Sequence, residues 1–234
     1  MSLPVLSERL RLPLAAGVRL SDRVRPTYAV WEITLRCDLA CRHCGSRAGR
    51  ARPAELTTTE ALDLVTQMAE LGVDEATIIG GEAYLRDDWH VLARALSDAG
   101  IRCSMTTGGR NLTAERVQQA KDAGIETVSV SIDGLERTHD HLRAFAGSHA
   151  ATLRALDHLQ AAGLPRSVNT QLCGVNLREI EALFELIAAR EIHSWQVQIT
   201  VAMGRAADHP NPQMPRAALL PLGHLCQLSA VSAD

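Results

Sequence analysis

The chain has 234 residues, 46% of them hydrophobic and 22% charged, which suits one sizeable core and excludes a disordered polypeptide. A net charge of −3 leaves no positive surplus for nucleic acid or an anionic membrane, and aromatics at 3% argue against a base-stacking surface. No apolar run reaches the roughly 18 to 20 residues that span a bilayer, and charged residues interrupt the N-terminus where an export signal needs its apolar stretch, so a cytoplasmic location is expected.

Residues 1–26, with Pro13 and Pro26, read as a lead-in segment. From residue 28 onward β-rich runs alternate with helical patterns. YAVWEIT (Tyr28 to Thr34) predicts the first strand, and TTTEALDLVTQMAELG a helix capped by Thr57 or Thr58, apolar at Leu62, Val65, Met68 and Ala69, and stopped at Gly72. EATIIG is the second strand and WHVLARALSDAG the helix ending at Gly100; IRCSMTT and LTAERVQQAKDAG form the third pair, ending at Gly124. ETVSVSID precedes SHAATLRALDHLQAAG, which stops at Gly163. SVNTQLC is followed by a helix opened by Asn176, and SWQVQITVA is the sixth strand. Strands alternating with helices predict parallel strands buried on both faces, joined by crossover helices. The expected fold is a partial (β/α)6 barrel, with an open doubly wound sheet as the alternative. The core is assigned to residues 27–210 and a short tail to 211–234.

Of six cysteines, Cys37, Cys41 and Cys44 fall within eight residues, directly after the first strand, while Cys103, Cys173 and Cys226 are scattered. This distribution suits a metal site better than a disulfide framework. CxxxCxxC on a loop at the carboxyl end of a barrel strand stands where such folds build active sites. Three thiolates can occupy three corners of an iron–sulfur cubane and leave the fourth iron open. Two other readings of the same residues are a zinc knuckle, with His43 or a distant residue as fourth ligand, and simply buried cysteines.

The CxxxCxxC loop, followed by Gly80-Gly81-Glu82 at the end of the second strand, resembles the radical S-adenosylmethionine (radical SAM) superfamily over about residues 27 to 210. The resemblance implies a [4Fe–4S] cluster held by Cys37, Cys41 and Cys44, S-adenosylmethionine (SAM) on its open iron, reductive cleavage of SAM and hydrogen abstraction from a substrate. It further implies that Gly80, Gly81 and Glu82 receive the methionyl group, and that Thr107 occupies a turn where relatives carry Asn. Ser131 and Asp133 would reach the ribose and sulfonium region, Asn169 the adenosine, and Gln198 and Met203, within a stretch running on to Val201 and Ala206, the adenine. His43 would lie against the adenine by stacking. Arg143 is either a solvated arginine or a carboxylate contact.

The segments WEITLRCDLACRHC, GGEAYLRDDW, SVSIDGLERTHD and MGRAAD look most like the branch with a cysteine-rich C-terminal extension, the SPASM type, whose members modify peptides, build peptide-derived cofactors or alter haem side chains. With Cys226 alone in the tail, the extension is expected to be missing. The reading is an enzyme acting on a peptide or peptide-derived metabolite, reduced by a ferredoxin or flavodoxin. Its alternative is a barrel that binds SAM and a cluster but needs a partner protein for catalysis.

Overall fold

The structure, a computed structural model, describes residues 26–209. The lead-in apart from Pro26, the tail 211–234 and Cys226 lie outside the described residues. Six parallel strands run in sequence order: β1 (Tyr28–Thr34), β2 (Glu75–Gly80), β3 (Arg102–Thr107), β4 (Ile125–Ser131), β5 (Arg166–Leu172) and β6 (Ser194–Ile199). β1 and β6 are the two edges, so the barrel is not closed.

The crossovers carry α1 (Thr58–Glu70), α2 (Trp89–Asp98), α3 (Ala114–Asp122), α4 (Glu136–Arg143) with α5 (Ser148–Ala161), and α6 (Ile180–Ala188); α7 (Arg205–Asp208) follows β6. α1 starts with a reciprocal cap, in which the Thr57 hydroxyl accepts from the Glu60 amide and the Thr57 amide donates to the Glu60 carboxylate. Four helices stop where the sequence places glycines, at Gly72, Gly100, Gly124 and Gly163, all with positive φ.

The apolar core lies between the outer face of the sheet and the helices. Ile33, Ile78, Met105, Val128, Val130 and Val168 of the strands meet Val65, Leu92, Leu96, Val117, Leu156, Leu159 and Leu183 of the helices. The strands are not apolar on both faces, as the βα pattern predicts. Alternate residues turn inward instead, and Ser104, Thr106, Ser129, Ser131, Asn169, Gln171 and Gln198 line cavities inside the barrel. Period-two alternation gives each strand a greasy back and a polar front, so the lumen suits a polar guest.

Two local departures matter for the site. The fourth crossover holds two helices, because the polar segment ERTHDHLR forms α4 before α5 begins. Asn176 precedes a 3-10 turn, Leu177–Glu179, and offers it no side-chain cap. It bridges loops instead, accepting from the Cys173 amide (2.7 Å) and donating to the carbonyls of Asp133 (2.8 Å) and Gln171 (2.9 Å).

Candidate active site

The loop after β1 is pinned at its base, where the Cys37 amide donates to the Gly49 carbonyl (3.0 Å) and the Gly49 amide to that of Leu35 (2.8 Å). The Glu55 carboxylate accepts from the Leu35 amide (2.8 Å) and the Thr34 hydroxyl (3.0 Å), holding the exit from the strand. Between these ties Cys37, Cys41 and Cys44 line one cavity of about 500 Å³ at the carboxyl end of the sheet. The opposite wall is formed by the tips of β2 to β6, including Gly80, Gly81, Glu82, Thr107, Ser131, Gln171 and Gln198.

The tip of β2 abuts the cysteine loop. A Cβ at Gly81 would stand 2.3 Å from the Arg36 carbonyl oxygen and 2.6 Å from Cys37 Cβ, so only glycine allows this approach. Beyond it, Glu82 is buried and accepts from the Thr107 hydroxyl (2.5 Å) and the Gly108 amide (2.7 Å). Burial pushes the Glu82 carboxyl up to about 7 against the pull of those two donors.

Behind the cysteines lies a buried ionic cluster. Asp133 accepts from His43 Nε2 (2.7 Å), Arg143 Nη2 (2.7 Å) and the Gln171 amide (2.9 Å). Burial alone would raise its pKa; the Arg143 charge and His43 override that and hold the carboxyl far below the usual range. Arg143 Nη1 also points at Cys41 Sγ, 3.7 Å away. His139, whose Nδ1 accepts from the Asp133 amide (3.1 Å), is driven down to about 3 by burial and the nearby Arg143 charge, and is neutral.

The donor set fits an iron–sulfur cluster. The three loop thiols are unpaired and face a common space; burial, and then the Glu82 charge, pushes Cys37 up to about 12, and burial also raises Cys41. Such thiols need a metal to displace their protons, and an all-sulfur set suits iron–sulfur chemistry. For the zinc reading, His43 has its Nε2 on Asp133, so only Nδ1 is left to serve as the fourth ligand. Ligand atoms of Cys37, Asp38 and Glu82 also lie within 4.8 Å of one another, and each Glu82 oxygen already accepts one hydrogen bond.

Of the residues singled out by sequence, His43, Gly80, Gly81, Glu82, Thr107, Ser131, Gln198 and Met203 line this cavity with the cysteines. Asp133 does not; it is fully buried and faces His43 and Arg143. Asn169 lines a separate cavity of about 260 Å³ lower in the barrel. Gln171, two residues on and about 7 Å higher along β5, is the residue at site level. Arg143 is buried and paired with Asp133, so the solvated reading gives way to a carboxylate contact within the protein. Sequence reasoning passed over Gly108 and Gln171 as site residues and included Arg205 only within the run Val201 to Ala206; for Gln171 the period-two pattern through Asn169 was the available signal.

The radical SAM superfamily model matches residues 31–187. The chain belongs to the radical SAM superfamily. The superfamily uses a [4Fe–4S] cluster and SAM. The chain is 37% identical over 185 residues to an AdoMet-dependent heme synthase of Methanosarcina barkeri, covering 78% of this chain and 53% of that protein. It is 30% identical over 203 residues to a PqqA peptide cyclase of Methylocella silvestris, covering 84% and 54%. Among solved structures, Streptococcus suis SuiB bound to S-adenosylmethionine superposes with a TM-score of 0.73 at 17% identity, over 87% of this chain and 47% of that one. The radical SAM chain thus spans about half the length of the curated relatives it matches. Among the described residues no helix is long and apolar enough to cross a membrane.

Proposed function

We propose that the chain is a radical SAM enzyme that holds a [4Fe–4S] cluster on Cys37, Cys41 and Cys44 and receives SAM in the adjoining cavity. The observation that carries this reading is the shared wall: three unpaired thiols on one loop face the same space as Gly81, Glu82 and Ser131. Reductive cleavage of SAM and hydrogen abstraction from substrate are the chemistry the cluster supplies when bound. The protein's own residues bind, orient and exclude water. Glu82 is placed to accept from the methionyl ammonium, with Thr107 and the Gly108 amide fixing its carboxylate. Arg143, held by Asp133, sets a positive charge against Cys41. Gln171 and Gln198, joined by a 2.5 Å bond, offer amides on the side of β5 and β6.

For the substrate we infer a peptide or peptide-derived metabolite, reached through the open side of the barrel, with a ferredoxin or flavodoxin as reductant. The peptide cyclases among the relatives and the polar lumen support this class. Anaerobic reconstitution with iron and sulfide, followed by dithionite and SAM, tests the core of the reading. The expected result is 5′-deoxyadenosine from the native chain and none from Cys37→Ala, Cys41→Ala or Cys44→Ala. Equal product from native and Cys41→Ala protein would overturn it.

A further inference from the structure

The segment after β6 carries Met203-Gly204-Arg205, and Arg205 reaches away from its own strand to the loop after β1. Its backbone amide donates to the Cys44 carbonyl (2.9 Å), Nε to the Cys41 carbonyl (2.7 Å) and Nη1 to the Ala48 carbonyl (2.9 Å). One residue therefore engages carbonyls at both outer cysteines of the CxxC step and at the end of the loop. Gly204 makes the approach feasible: its φ is 57°, and a Cβ there would stand 2.2 Å from the Gly45 carbonyl oxygen and 2.3 Å from that of Cys44. On the outside, Arg47 and Asp208 form a two-pronged ion pair (2.5 and 2.9 Å), with both side chains about half exposed. β1 and β6 are the unjoined edges of the sheet, so this contact ties the first βα unit to the last.

We propose that Arg205, seated by Gly204, is a positioning residue that fixes the cysteine loop in the geometry needed to retain the cluster. The inference rests on the cluster reading above. The planar guanidinium satisfies two carbonyls at once while the amide takes a third, and a lysine ammonium has no such fork. The exposed Arg47–Asp208 pair contributes little of the hold, because solvent screens it.

The test compares Arg205→Ala, Arg205→Lys and Asp208→Asn with the native chain. In the apo proteins, hydrogen–deuterium exchange of peptides covering residues 37–49 should accelerate in Arg205→Ala, remain intermediate in Arg205→Lys and stay native in Asp208→Asn, while peptides of α2 and α3 are unchanged in all. In the reconstituted proteins, iron stripping by a chelator should be roughly tenfold faster or more in Arg205→Ala, with a broadened EPR signal of the reduced cluster. Native exchange over 37–49 in Arg205→Ala overturns the proposal. So does faster exchange there with a native stripping rate and EPR line shape. Failure of the native chain itself to take up iron sinks the cluster reading, and with it the positioning role.

Discussion

Glu82 joins two properties seldom found in one carboxyl: a donor on each oxygen and a pKa pushed up to about 7 by burial. Its ordinary value is 4.5, so between about pH 4.5 and 7 the folded chain holds a proton that the unfolded chain has released. The Glu82 contribution to apo stability should therefore fall as pH rises through that window, by about 3 kcal/mol in total, while buried neutral His139 contributes in the opposite sense up to its ordinary value of 6.5. Glu82→Gln should remove that contribution, so the stability of the native chain minus that of the variant should fall across the window, which chemical denaturation of both at a series of pH values reads directly. The same group should make SAM binding pH dependent, because only the carboxylate offers a charge-assisted bond to an ammonium, worth about 1.5 to 3 kcal/mol. Calorimetry of the anaerobic holoprotein should show affinity rising from pH 6 to pH 8, and a drop of roughly tenfold or more in Glu82→Gln at pH 8. Equal affinity of native and variant protein at pH 8 would remove Glu82 from the site.

At the scale of elements, the contact between the end of β2 and the cysteine loop is, with that at Gly204, one of two close backbone joints in the site. Gly81→Ala forces a methyl group into the Arg36 carbonyl and should shift the loop enough to abolish cluster uptake, measured as iron per chain after reconstitution. Gly49→Ala lies on the same loop with nothing within 4 Å of the added carbon, and should load normally. Normal loading of Gly81→Ala would mean that the loop has slack the structure does not suggest. Six strands, the helix stops and the cysteine loop were legible in the sequence, because apolar periodicity and terminal glycines are local signals. α4 was not read as a helix, because ERTHDHLR is polar almost throughout and its buried side, with His139, Leu142 and Arg143, faces an ionic cluster. The depth of a residue along a strand was similarly hidden. Asn169 and Gln171 share a face, and only the register with β4 and β6 shows which reaches the cavity. Asp133 was read toward the ligand because its partners, His43 and Arg143, lie 90 and 10 residues away and nothing in the spacing announces a buried triad.

For the whole molecule, the remaining described cysteines lie at opposite ends of the sheet: Cys103 near the start of β3, pushed up to about 12 by burial, and Cys173 just beyond β5. They do not converge, so reconstitution should give about four iron and four sulfide per chain. Cys103→Ala should leave that count and the visible spectrum intact. A reproducible value near eight, with two distinct EPR species, would contradict the single site.

The sheet is laid down in the order in which the ribosome makes it, each strand pairing with the one just finished. Most of the barrel can therefore assemble as it emerges. The tie from Arg205 to Cys41 is different, since 164 residues separate its ends. At about 5 to 20 residues per second, some 8 to 30 seconds pass between synthesis of the first and the last of these groups. During that interval three neighbouring thiols exist without the fastening that sets their spacing. If Arg205 fastens the loop as proposed, a cluster on these cysteines would be seated firmly only after translation has passed the sixth strand, and until then the chain's earliest cysteines would stand open to oxidation.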